Sequence, residues 1–148
     1  MIALRESIWV MWITMSPIYT FTLALLVVAG LLALLRGGPW ERAVWAILAL
    51  AWAVSTVAPF DYRSPAWGAI GADIFVFLFL LYGALRARMI WLPIAGGFQF
   101  LVLATHFVFA TNDGLRQWAY ISAYYVWNIA LIGTLCAASL LKNQKRPL

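Results

Sequence analysis

The sequence predicts an all-α integral membrane protein, a bundle of five transmembrane helices with its N-terminus outside and its C-terminus in the cytoplasm. Two observations point to the class. Hydrophobic residues make up 66% of the 148 and charged residues only 10%, where soluble domains run nearer half and a quarter. The apolar residues also fall into five runs, each near or above the length of about 18 residues that crosses a hydrocarbon core. A third observation excludes the other membrane architecture. The period-two alternation of a membrane β-barrel is missing, and backbone in lipid must satisfy its own hydrogen bonds, which leaves helices.

The first run spans about 12–35 and follows the amphipathic stretch MIALRESIW. Arg36-Gly-Gly-Pro-Trp40-Glu-Arg42 reads as a tight polar turn, with Gly and Pro as breakers. The second run covers about 43–60 and stops at Pro59 and Asp61-Tyr-Arg-Ser-Pro65. The third, about 66–85, ends at Arg86-Ala-Arg88, and the fourth, about 89–111, precedes Asn112-Asp-Gly-Leu-Arg116. The fifth, about 117–141, leads into a basic tail holding Lys142, Lys145 and Arg146. Such short connections make sequential runs antiparallel neighbours in one domain, residues 1–148.

Orientation follows from the basic residues. Arg5, Arg63 and Arg116 fall on one side; Arg36, Arg42, Arg86, Arg88, Lys142, Lys145 and Arg146 fall on the other. The richer side is the cytoplasmic one. Because these residues flank apolar runs, the net charge of +5 describes membrane topology and no nucleic-acid partner is expected. Tryptophans mark the boundaries, Trp67 and Trp118 on the outer side and Trp40, Trp45 and Trp91 on the inner side.

One cysteine, Cys136, excludes an intrachain disulfide and a thiolate cluster. No phosphate-binding Gly-rich loop, His-Glu-x-x-His or nucleophile elbow occurs, so no enzyme is expected and no metal site. The single histidine rules out bis-His haem ligation within one protomer, and no cofactor is expected; one axial ligand from His106 to haem or chlorophyll would also need a large pocket.

The chemistry that remains lies at membrane depth. Asp73 opens the run GADIFVFLFLLY about 10 Å inside the outer end of the third helix, at 1.5 Å per residue. His106 lies about 8 Å inside the outer end of the fourth. An ionisable side chain in a spanning helix faces a partner in the bundle, so Asp73 and His106 form the candidate intramembrane pair. Gln99 stands two turns before His106 on the same face. With Asn128, Tyr124, Tyr125, Ser55 and Thr56 it makes the candidate lining of an outer-half cavity. The bland alternative is that Gln99, Asn128, Ser55 and Thr56 bond across helices as structural glue, and the Asp73–His106 pair can serve the same purpose.

Small residues add a second pattern: Gly68 with Ala72, Gly96-Gly97, and Gly133 with Ala137 permit close helix approach. Phe75, Phe77 and Phe79 alternate, so the third helix is apolar all round apart from Asp73 and turns part of that surface to lipid or another protein.

The pattern Arg88-x-x-Trp91-x-Pro93, Gln99, His106, Asp113, Tyr120 resembles a group of uncharacterised small polytopic membrane proteins of alphaproteobacteria over roughly residues 66–138. The resemblance implies a multi-pass protein of the bacterial inner (cytoplasmic) membrane and carries no activity. Size and tryptophan content are similar to the TspO-type translocators, but their Trp-x-Pro-Pro signature is missing.

The leading expectation is a non-enzymatic accessory or assembly subunit of a larger membrane complex, with the lipid bilayer and other membrane subunits as partners. The alternative is a small-ligand binding or transport protein whose outer-half cavity is built around Asp73 and His106. A third reading is a pigment- or haem-associated subunit using His106.

Overall fold

The computed structural model describes residues 17–57, 67–112 and 117–141, and these fold into five helices with no strand among them. They are α1 (Pro17–Leu35), α2 (Pro39–Val57), α3 (Trp67–Ala87), α4 (Trp91–Thr111) and α5 (Gln117–Leu140). The expected start of the first helix at 12–16, the end of the second at 58–60 and residue 66 lie outside the described residues. So do Arg5, Arg63, Asp113, Arg116 and the basic tail from Lys142.

Four helices, α1, α3, α4 and α5, are long and apolar enough to cross a membrane, so this is a multi-pass membrane protein by length and composition. The fifth, α2, falls short of that standard. It carries Glu41 and Arg42 in its first turn and Ser55 and Thr56 in its last.

That helix also begins earlier than its apolar run, at Pro39 rather than at 43. The supposed polar turn is its capped N-terminus. Proline suits the first helical position because its missing N–H would be unsatisfied there anyway. Two residues on, the buried Glu41 reaches back and accepts from the Gly38 amide at 2.8 Å, one half of a capping box. Arg42 closes the preceding helix. Its Nε donates to the Ala33 carbonyl at 3.3 Å and an Nη to that of Leu34 at 3.1 Å, positions where C-terminal carbonyls lack intrahelical partners. At the other short reversal, between α3 and α4, Arg88 takes φ 51°, the left-handed region.

The helices form a closed ring in chain order, each packed on its sequence neighbours and α5 returning to α1; α2 also reaches α5. Both short reversals, with Arg36, Arg42, Arg86 and Arg88, lie at one end of the ring, called here the basic end. The apolar core fills the half of the bundle towards it: Leu26 and Ala29, Val44 and Leu48, Val76 and Leu80, Leu92 and Ala95, and Leu131, Ile132 and Leu135.

Two glycines admit tryptophans, and neither belongs to the small-residue pairs in the sequence. Gly30 in α1 receives the Trp45 indole from α2, whose Nε1 donates to the Leu26 carbonyl at 3.1 Å. Gly83 in α3 receives Trp40, whose ring carbon comes within 2.9 Å of where a Cβ would stand. By contrast, a Cβ at Gly97 or Gly133 would meet nothing within 4 Å, one at Gly96 only Leu80 at 3.9 Å, and Gly68 is exposed. The close approaches here are between a bulky ring and a bare backbone, not between two backbones.

Candidate functional site

On α3 the buried residues are Ala69, Asp73, Val76, Leu80 and Gly83, a stripe at steps of four and three. On α4 they are Trp91, Leu92, Ala95, Gln99, Val102 and His106, a stripe of the same period. The two run antiparallel through the tight turn at 88–90, so the neighbourhood of Gly83 and Leu92 at the basic end becomes, two to four turns further along, the meeting of Asp73 with Gln99 and His106. The helical period thus places the three polar side chains on facing surfaces away from the apolar core.

The contacts are short and buried. His106 Nε2 lies 2.9 Å from Asp73 Oδ2. Gln99 Nε2 donates to the other carboxylate oxygen, Oδ1, at 2.9 Å and to the Asp73 backbone carbonyl at 3.1 Å. On the far side of the imidazole, Nδ1 lies 2.9 Å from the Tyr120 hydroxyl of α5. Asp73, Gln99, His106 and Tyr120 are all buried. One unbroken hydrogen-bonded chain, Gln99–Asp73–His106–Tyr120, therefore ties α3, α4 and α5 together.

Aromatic rings enclose it. Phe109 stacks on Tyr120 with centroids 4.3 Å apart, and Tyr124 meets the His106 ring edge-on at 5.4 Å. Tyr125 is buried and packs at right angles on Tyr124, 5.9 Å away.

One closed assignment of donors and acceptors follows from these contacts. In it Nε2–H donates to Asp73, and the Tyr120 O–H donates to Nδ1. Carboxylate, imidazole and hydroxyl in this order match a nucleophilic triad. The hydroxyl bearer is a tyrosine rather than a serine, however, and its ring is buried and stacked on Phe109. Both imidazole nitrogens are engaged, so axial ligation of haem or chlorophyll by His106 would break one of these bonds. Among the described residues no three His, Cys, Asp or Glu side chains group as metal ligands.

The pairing of Asp73 with His106 is as the sequence suggests, and Gln99 and Tyr124 join it. Tyr125 reaches it through Tyr124, while the other lining residues make their hydrogen bonds or contacts as follows. Asn128 Nδ2 turns back to the Tyr124 carbonyl on its own helix at 2.9 Å. Thr56 does likewise to Trp52 at 2.8 Å, as hydroxyls in apolar helices often bond the carbonyl four residues back. Thr56 lines a different feature, an open-sided apolar groove of about 280 Å3 between α1 and α2, with Tyr19, Leu26, Trp45 and Trp52. No hydrogen bond carries Ser55, half-buried on α2, into the Asp73 cluster. Tyr120 is the residue the lining missed. The available signal is its place one turn before Tyr124, on the same face of α5. No protein-family model, curated protein or solved structure matches this chain.

Proposed function

We propose that this chain is a non-enzymatic, five-span protein of the bacterial inner membrane that serves as an accessory or assembly subunit of a larger membrane complex, its C-terminus in the cytoplasm. The observation that carries the reading is the closure of the polar chain on itself. Asp73 uses both oxygens and His106 both nitrogens on partners from the same protomer. A charged group in lipid is tolerated when it is paired inside the bundle, and this pairing braces three helices without calling on a ligand.

The outward surface supports the same reading. α3 presents Phe75, Leu78, Tyr82 and Leu85 outwards and α4 presents Phe100 and Phe107, all more than half exposed. Such surface is at home against lipid or against another membrane helix. Isolation in mild detergent followed by native mass measurement tests the proposal. A particle heavier than the protomer with co-purifying subunits is expected; a strictly monomeric particle without partners overturns it.

The second reading, a binding or transport protein, draws support from the α1–α2 groove rather than from the Asp73 cluster. The groove walls are almost wholly apolar and include two indoles, which suits a small apolar ligand. Saturable quenching of tryptophan fluorescence by such a ligand, lost in Trp52→Ala, is its expected signature.

A further inference from the structure

The buried chain has a property that a simple brace does not need: it can be written in two protonation states with every heavy atom in place. In the first, Asp73 is a carboxylate, Nε2 of His106 carries the ring proton and donates to Oδ2, and Tyr120 donates to Nδ1. In the second, Asp73 is a carboxylic acid donating to Nε2, and Nδ1–H donates to the Tyr120 oxygen. Gln99 donates to Oδ1 in both, and the two separations at the imidazole, each 2.9 Å, serve either direction of donation.

We propose that Tyr120, His106 and Asp73 form a proton-holding relay: one exchangeable proton enters at the Tyr120 hydroxyl and is stored on Asp73 through inversion of the His106 tautomer. The step balances as a proton shift. A proton from water binds the Tyr120 oxygen while the original O–H breaks and Nδ1–H forms; Nε2–H breaks and Oδ2–H forms. One proton is gained, the site passes from a single negative charge to neutral, and no electron moves.

The placement suits this task. Tyr120 is the fourth residue of α5, about 5 Å along the axis from the helix start, whereas Asp73 is the seventh of α3, about 9 Å in. The order from the end of the bundle inwards is therefore hydroxyl, imidazole, carboxylate. Gln99 closes the inner end as an amide that holds the acid without passing a proton on. Among the described helices only α3 and α5 pack against α4. From α3 the group facing His106 is Asp73, and from α5 the groups are Tyr120 and Tyr124, with Tyr125 behind Tyr124. Tyr82 and Arg86 of α3 and Cys136 of α5 lie towards the basic end. This relay goes beyond the subunit reading and stands whether or not the chain joins a complex.

The chain has one histidine, so ring-15N histidine labelling reports on this site alone. The full chain in lipid bilayers, followed by solid-state NMR from alkaline to acidic pH, should show the ring proton move from Nε2 to Nδ1 in one step. A proton fixed on one nitrogen throughout, or an imidazolium with both nitrogens protonated at low pH, overturns the relay. In Tyr120→Phe the proton should stay on Nε2 at every pH, and an interchange that persists there removes the hydroxyl from the path. If that variant does not fold, the native titration alone decides.

Discussion

Nε2 of His106 lies 2.9 Å from Oδ2 of Asp73, a buried acid–base contact that joins two helices across 33 residues of chain. Neither group stands alone, because Gln99 holds the other carboxylate oxygen and Tyr120 the other ring nitrogen. Truncating either member strands a buried polar partner, so Asp73→Ala and His106→Ala should each lower stability by about 1–3 kcal/mol. The double variant should lose less than the sum by about 1 kcal/mol, the mark of a shared interaction. Reversible unfolding in mixed micelles measures all three, and strict additivity would show that the contact contributes no coupling.

The seating of Trp45 against Gly30 makes a prediction of opposite sign at two glycines. A Cβ at Gly30 overlaps the indole, which is also held by its bond to the Leu26 carbonyl, so Gly30→Ala should destabilise by about 1–3 kcal/mol. A Cβ at Gly133 meets nothing within 4 Å, so Gly133→Ala should stabilise by about 0.5–1 kcal/mol by stiffening the unfolded chain. Melting temperatures of the two variants should move apart; equal shifts would contradict the wedge.

At the first reversal, Glu41 and Arg42 cap two helix ends at once. Glu41→Ala should cost about 1 kcal/mol through the lost Gly38 bond, and Glu41→Gln, which keeps an acceptor, should recover most of it. Arg42→Met keeps an apolar stem but removes the guanidinium donors from the Ala33 and Leu34 carbonyls, of which Ala33 keeps the Gly37 amide, and a loss of similar size is expected. Thermal unfolding of the three variants checks the order Gln, then Ala and Met.

If α2 crosses the membrane, its two ends must face opposite compartments. In a Cys136→Ser background, Arg36→Cys and Val57→Cys should react with a membrane-impermeant maleimide from opposite sides of sealed vesicles. Arg88→Cys should follow Arg36→Cys. Labelling of the two α2 ends from one side would leave four spans in place of five.

Much of the site's depth could be read in the sequence. Asp73 and His106 match in depth because a helix rises by a constant amount per residue from its end, and a tight turn between two long helices leaves antiparallel packing as the only course. The α2 boundary differs from its apolar run for a local reason. Gly-Pro-Trp-Glu-Arg looks like a breaker when read for polarity, yet it is an N-terminal cap when read for unsatisfied amides. The small-residue pairs misled because they say where helices are able to approach, not what fills the gap. Trp45 and Trp40 chose Gly30 and Gly83.

By itself, the sequence determined a helical membrane class, the number of helices and their antiparallel succession, and the axial height of the acid and the base. Those follow from hydropathy and rise per residue, which are properties of each segment alone. Only the tertiary structure decided the rotation of each helix about its axis. That rotation brought Tyr120 to Nδ1, turned Gln99 onto Oδ1, and sent Asn128 and Thr56 back to their own backbones. The physical reason is that helices apolar nearly all round carry little facial signal, so side-chain interlocking sets their rotation. Hydrogen bonds of 2.9 Å form only after that rotation is set.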